Sequence, residues 1–508
     1  MAIDTLRAQQ KLNAIGIHVE PNPAFIKRKK RAFTQKIEQF FYKHRNKLIF
    51  IHSFMFIFFL ALMVIPLFLP PPVYGATIWN NFTEFSQFMI WGLWFPLVFI
   101  SVLFTGRSWC GVLCPMGAAS EWMNGIGLKR SIPGWLRWEG TPVLSFIVIT
   151  ILGQTVDVRD EASAMAEIFG GTLILALLIG FLYGKGKKKR AWCRHVCPIG
   201  LLLGVFSRMG IVQFATKLSR KNKHAQDRYT EQGICPTMID VSHKQESRHC
   251  IECFRCVKPS SQGGLFVRLR KPGEEIEQIK QHNPNAAEVW FILLSTGISL
   301  GGFLWLILPQ YQLWRNALAT WFINHDWYWV GNVGPRWLMS VHPLQHQTYR
   351  WIDFIMIVGF MVGCMVLLAV IVGALNWLSS FIAEKYQPNT LTLSQRFIEL
   401  GYQYTPIAMM AIIISLGDKL FQTLISNGVS AATLGYIKGV LLLGSLLWSF
   451  KLGYRILHHQ GLVGKQLWYA LLPGMLASLL LMLVWWPAVF GIDYSILENY
   501  RTHLLIVN

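Results

Sequence analysis

Residues 87–115 read QFMIWGLWFPLVFISVLFTGRSWCGVLCP. The stretch 87–106 is almost wholly apolar and, as a helix, reaches about 30 Å, the thickness of bilayer hydrocarbon. It ends at Gly106 and Arg107 and runs into Cys110-Gly-Val-Leu-Cys114-Pro115. A membrane helix therefore delivers a cysteine pair to the membrane surface. The same construction recurs downstream, where the apolar stretch 168–184 leads through Lys185, Lys187, Lys188, Lys189 and Arg190 to Cys193-Arg-His-Val-Cys197-Pro198. The fold class that follows is an all-α polytopic membrane protein with its cysteines gathered at helix ends.

Outward from this pair, nine apolar stretches are long enough, or nearly so, to span a bilayer: 48–70, 87–106, 141–156, 168–184, 289–309, 352–377, 401–417, 432–450 and 468–491. The third is the shortest and is polar at both ends. The 508 residues are 53% hydrophobic and 14% charged, with mean hydropathy +0.38, which excludes an ordinary soluble protein. A formal charge of +21 in a soluble protein points to nucleic acid, but here the basic residues form blocks between apolar stretches, first at Lys27, Arg28, Lys29, Lys30 and Arg31 and again before Cys193. Such blocks mark cytoplasmic loops, so no nucleic-acid partner is expected. The leader and the segments after the second, fourth, sixth and eighth stretches are basic, whereas the loops holding Glu84, and Asp157 to Glu167, are not. The N-terminus is expected inside and the C-terminus outside. The first apolar run begins near Leu48 behind a basic and polar leader, so no cleavable signal peptide is expected. Four regions result: a cytoplasmic leader 1–47, a four-helix membrane region 48–212, a cytoplasmic ferredoxin-like segment 213–288, and a C-terminal membrane region 289–508 of about five helices.

Eight of the nine cysteines fall on the cytoplasmic side of this topology, where thiols stay reduced and metal binding is favoured over disulfides. Beyond the two C-x3-C-P motifs there is Cys250-Ile-Glu-Cys253-Phe-Arg-Cys256, preceded by Cys235-Pro236. A C-x2-C-x2-C run gives three thiolates to three irons of one cubane, and a distant cysteine, commonly followed by Pro, supplies the fourth. Zinc ribbons favour paired C-x2-C halves instead. Eight thiolates suffice for two [4Fe–4S] clusters. Our first choice places Cys110, Cys114, Cys193 and Cys197 on one, and Cys235, Cys250, Cys253 and Cys256 on the other. The sequence leaves open a crossed arrangement in which Pro-flanked cysteines are exchanged. Arg107, Arg190, Arg194 and Arg255 lie beside these cysteines, where they either raise cluster potentials or mark the inner interface.

The strings GRSWCGVLCPMGA from Gly106 and KKRAWCRHVCPIG from Lys188 resemble the paired motifs of the NapH/NosR-type membrane polyferredoxins, a family that includes CcoG-like proteins. The resemblance covers about residues 45–260. It implies 4Fe–4S clusters, residence in the bacterial cytoplasmic (inner) membrane, and electron transfer associated with quinol oxidation or with feeding electrons to periplasmic partners. Cys110, Cys114, Cys193 and Cys197 carry over as motif cysteines, and Cys250, Cys253 and Cys256 as ferredoxin-type cysteines. This chain departs from the pattern in having one triple run with a displaced Cys235, and four helices after about residue 350. No counterpart of the flavin-bearing N-terminal domain of NosR is expected.

Other residues are weighed against plainer roles. Cys364 lies within an apolar stretch and is expected to pack as a small apolar residue. His325, His342 and His346 lie in a Trp-rich outer segment, 310–350; the last two, four apart, have ligand spacing but are expected to be solvated. His458 and His459 are adjacent and make a poor chelate. Lys438 and Asp353 lie near helix ends, where snorkelling is cheaper than a membrane role. Asp157, Asp160, Glu161 and Glu167 form an acidic outer loop that is either solvated or a proton acceptor for a quinol. The expectation is a quinol-dehydrogenase-like electron-transfer subunit with two 4Fe–4S clusters, a quinone as candidate ligand, and redox partner proteins. The alternatives are a metal-ion reductase or transporter, which predicts polar pairs within the later helices, and an assembly module stapled by metal.

Overall fold

The computed structural model describes residues 28–490 other than 71, 73–74, 217–233, 242–243, 258, 260–264, 343–346 and 389. The protein is multi-pass and mostly helical. Eight spans are long and apolar enough to cross a bilayer: Phe33–Phe68, Phe82–Thr105, Ala162–Leu182, Ala286–Ile307, Trp351–Tyr386, Leu393–Leu416, Ala431–His459 and Gly464–Phe490. They coincide with eight of the nine stretches picked out in the sequence. The other stretch forms Thr141–Thr155, a helix of 15 residues, about 22 Å long and short of the hydrocarbon thickness.

That short helix still passes from one face to the other. Just before it, Glu139 pairs with Arg248 at the cysteine-bearing end (3.4 Å). At its far end, Thr155 O accepts from Ser340 N in the Trp-rich segment (2.8 Å). This crossing returns the chain so that Cys110 and Cys193 meet on one face.

We label the helices that matter below α1 Arg28–His44, α2 Leu48–Val64, α3 Phe95–Thr105, α4 Pro115–Ile126, α5 Thr141–Thr155, α6 Ala162–Leu182, α7 Pro198–Ser207, α8 Ala286–Ile307, α9 Trp351–Tyr386, α10 Leu393–Gly401 and α11 Thr405–Leu416. Upstream of α3 the same span widens into a π-helical segment, Phe88–Trp94, a distortion that often accompanies functional sites. The α8 and α9 helices approach closely along Gly297-Ile-Ser-Leu-Gly301. A Cβ there would lie 2.7 Å from Met365 Cα or 2.9 Å from Met361 Cα, so the small-xxx-small stripe sets the spacing. The span containing α10 and α11 is 78% buried, against 28% for Ala162–Leu182. It is the central helix of the bundle, and α11 packs on both α3 and α8.

Between α7 and α8 lies a small non-membrane segment. Strand β1 (Val212–Thr216) pairs antiparallel with β2 (Leu265–Leu269), with Phe214 opposite Val267. The basic leader contributes α1, which covers this segment: Glu38 Oε1 accepts from Val267 N (2.8 Å), and Phe41 stacks on Phe254 with ring centroids 3.8 Å apart. Phe214, Phe254 and Val267 bury Cys235, Cys250 and Cys256 in one apolar cluster.

Candidate iron–sulfur site

The two Trp-Cys-x3-Cys-Pro motifs are built alike. In each, the second cysteine N–H donates to the carbonyl of the Trp before the first cysteine: Cys114 to Trp109 and Cys197 to Trp192, both 2.9 Å. Each second cysteine also caps a helix, α4 or α7, that opens with proline. Its Sγ accepts from a helix N–H, Gly117 N to Cys114 (3.4 Å) and Gly200 N to Cys197 (3.3 Å). Proline suits the first helical position, and the helix N-terminus favours a thiolate. The sequence reason for two such units is therefore local: Cys-Pro starts a helix and holds its sulfur at the positive end.

Cys110, Cys114, Cys193 and Cys197 line one end of a single cavity of about 230 Å³. Burial pushes the Cys114 thiol up to about 11 and Cys197 up to about 12, and Cys193 rises well above its usual range. The sulfurs also act on one another: Cys193 is raised further by Cys197, Cys114 and Cys110, and Cys197 by Cys114 and Cys110. On the other side of Cys193, a cavity of about 70 Å³ is lined by Arg107, Arg137, Arg194, Arg248, His195 and His249. Burial, with Arg194 and Arg137 adding to it, lowers His195 to about 4, so the positive charge there comes from the arginines.

The second group is equally enclosed. Cys235, Cys250, Cys253 and Cys256 are all buried. Burial pushes Cys250 up to about 12, and Cys256 is raised by burial and by Cys250, Cys253 and Cys235. Polar contacts tie this group to the motif loops: Arg190 N donates to Pro236 O (2.8 Å), Lys189 Nζ to Cys235 O (3.0 Å), and Arg194 Nη1 to Thr237 O (2.8 Å).

The two groups meet at Gly111, where a Cβ would collide with Ile251 O and lie 2.9 Å from Cys253 Cα. Only glycine lets the loops close to this distance. Arg190 lies at the same junction, wholly buried. Its Nε is 2.8 Å from Glu121 Oε2, its Nη1 donates to Cys110 O (2.5 Å), and it feels both Cys193 and Cys253. Arg255 pairs with the other oxygen of Glu121. Burial would raise the Glu121 carboxyl, but the two guanidiniums overcome it and hold it below its ordinary value. Nearby, the Glu252 carboxylate lies over Gly106, and burial pushes it up to about 8.

These residues suit iron–sulfur clusters. Each group offers four thiols. Among the described residues, Arg107 Nε, Arg190 Nη2 and Trp192 Nε1 are buried donors without a hydrogen-bond partner, of the kind that cluster sulfur accepts from. No group of three or more His, Cys, Asp or Glu among the described residues converges to hold a single metal ion. A four-iron cluster attaches its thiolates at separate corners and does not demand that convergence.

The remaining sequence candidates lie apart from this site. Cys364 is half-buried in α9, and His458 and His459 are exposed. Asp353 pairs with Arg315 (2.5 Å) and caps α9. Lys438 Nζ sits 4.1 Å from the Phe421 ring centroid. His325 Nδ1 donates to Trp321 O (2.7 Å). His346 lies outside the described residues, as does the side chain of His342. Sequence reasoning missed Glu121, which no motif flags, and His52, whose Nε2 donates to Gly111 O (3.2 Å) from α2. It also passed over the Trp repeated before each first cysteine, a signal that was present.

Residues 87–133 and 168–223 match the family model described as a 4Fe-4S binding domain. The chain carries a 4Fe-4S binding domain. The two matched segments each contain one Trp-Cys-x3-Cys-Pro unit, so they hold the first four cysteines and not the second four. The domain has distant homologues among ferredoxin-type membrane proteins. NapH of Escherichia coli (strain K12), a ferredoxin-type protein, is 26% identical over 197 residues, 34% of this chain and 67% of that protein. An uncharacterised protein of Methanocaldococcus jannaschii is 27% identical over 177 residues, 33% of this chain and 67% of that one. The regulatory protein NosR of Stutzerimonas stutzeri is 23% identical over 195 residues, 31% of this chain and 25% of that protein. No solved structure matches.

Proposed function

We propose that this ferredoxin-type membrane protein oxidises a quinol within the bilayer and relays the electrons to a partner on its cysteine-bearing face, the cytoplasmic one. When bound, two 4Fe–4S clusters supply one-electron acceptance and donation. Cys110, Cys114, Cys193 and Cys197 would hold the first, and Cys235, Cys250, Cys253 and Cys256 the second. The reading rests on one observation above all: the cavity bounded by the first four cysteines continues away from them between Phe59, Trp94, Phe95, Phe146 and Phe169 of membrane-spanning helices. An apolar, aromatic-walled cavity with few polar groups suits a quinone ring. Its polar lining comes from Thr150 and Gln154 on α5, Thr172 on α6, and Arg107 and Arg159, which could hydrogen-bond the ring's oxygens; Gln154 Oε1 accepts from Trp305 Nε1 (3.0 Å). Arg107, Arg190 and Arg194 would balance the negative charge of thiolate-bound clusters, and Gly111 brings the two groups into contact.

The test is anaerobic stopped-flow mixing of the oxidised holoprotein with a short-chain quinol. Loss of cluster absorbance and appearance of reduced-cluster EPR signals are expected, and both should vanish in Phe146→Trp, which fills the cavity, without loss of iron. Full reduction by dithionite with no response to any quinol contradicts the proposal.

A further inference from the structure

The two ends of the 230 Å³ cavity differ in their access to water. At the cysteine end the lining residue Arg107 is buried, Arg190 behind Cys110 is buried and shares Glu121 with Arg255, and Glu252 over Gly106 is buried too, so this end is closed to water. At the other end the wall is Val158 and Arg159, from the loop between α5 and α6, with the Arg159 guanidinium 5.9 Å from the Trp91 ring centroid. Just outside lies a hydrophilic cluster from three separate elements. Gln87 Nε2 donates to Asp160 O (2.5 Å). Lys419 Nζ bridges Gln87 Oε1 and Asp160 Oδ1, both at 3.4 Å, and lies 3.7 Å from Glu84. The Asp160 side chain is 65% exposed, so this end reaches water.

We infer, on the basis of the proposed quinol oxidation, that electrons and protons leave the cavity by opposite faces: the protons exit past Arg159, Asp160 and Lys419 on the face away from the cysteines. Each quinol becomes a quinone, giving two electrons to one-electron acceptors on the cysteine face and two protons to water on the other. Arg159 is the positioning residue at the exit. Its guanidinium holds the ring oxygen that faces the carboxylates, and the proton passes to Asp160, which is exposed and faces Lys419, Glu84 and Gln87.

The experiment uses the holoprotein in liposomes, with ferricyanide outside and a pH-sensitive dye inside. Because ferricyanide does not cross the bilayer, only molecules with the cysteine face outward turn over. Relative to Cys197→Ser vesicles, addition of a short-chain quinol should acidify the lumen by both protons of each quinol. Acidification confined to the external medium overturns the inference while leaving quinol oxidation intact. Absence of quinol oxidation above the Cys197→Ser level removes both. A second measurement needs no turnover: quinone quenching of tryptophan fluorescence should show binding weakened about tenfold in Arg159→Leu, the value of one charge-assisted hydrogen bond, at unchanged iron content. Unchanged binding overturns the role given to Arg159.

Discussion

Arg190 Nε lies 2.8 Å from Glu121 Oε2, and this ion pair sits where the two groups of four cysteines meet. Both side chains are almost fully buried, so each depends on the other. Removing one partner of such a pair costs about 3–5 kcal/mol, because the remaining charge is left in a low-dielectric site. Glu121→Leu strands both Arg190 and Arg255. Iron should be lost from both groups, not one, as measured by iron analysis after anaerobic purification, and the thermal midpoint in detergent should fall. A variant with full iron content and an unshifted midpoint contradicts this role.

The same carboxyl sets a pH dependence. Glu121 is held below its ordinary 4.5 in the folded protein. A group with a depressed folded value stabilises the fold above the unfolded value, and that contribution is lost as pH falls through the folded value. The stability gap between the wild type and Glu121→Gln should therefore be constant above about pH 5 and shrink below the ordinary 4.5. Midpoints measured across this range check it; a gap that widens on acidification has the wrong sign.

How far the sequence foretold this arrangement depended on the range of the interactions involved. The spans were legible because hydrocarbon imposes length and hydropathy on each helix separately. Only Thr141–Thr155 falls short, and its ends are held by contacts remote in sequence, Glu139 to Arg248 and Thr155 to Ser340. The cysteines were legible because thiolate chemistry fixes their local spacing. The partners that join the two groups were not. Glu121, His52 and Glu252 meet Arg190, Gly111 and Gly106 across separations that carry no periodic signal. Likewise the later helices look poor in polar pairs along the sequence, yet Ser449 Oγ reaches Gln403 O (2.7 Å) and Ser478 Oγ (2.9 Å) between helices.

Gly111 is the point of closest approach between the two groups. A methyl group there collides with Ile251 O, and the loops must separate to admit it. Gly111→Ala should keep both clusters but weaken their magnetic interaction, seen as narrower EPR lines when both are reduced. Loss of iron from the first group alone would show that Gly111 instead supports Cys110 locally.

A further buried network ties the non-membrane segment to the C-terminal helices. Arg208 pairs with Glu275 (3.0 Å) and with Glu288 of α8 (2.9 Å), and Glu288 also accepts from the Tyr402 hydroxyl. Arg208→Met leaves Glu275 paired with Arg270 alone and Glu288 with Arg248 alone, which removes the link between the two elements and should cost about 3 kcal/mol. Limited proteolysis should then cut between residues 265 and 285 before any membrane helix is affected. Wild-type resistance in this variant contradicts the assignment of Arg208 as the joint.

Two clusters, one held by each group of four cysteines, are the centre of the proposed electron path. Iron and sulfide analysis with EPR on the anaerobically purified chain, alongside Cys197→Ser and Cys256→Ser, tests it directly. About eight irons per wild-type chain and about four in each variant, with a different EPR signal lost in each, are the predicted result. A zinc-bearing, EPR-silent wild type, or a single variant that removes all the iron while its fold survives, would contradict it.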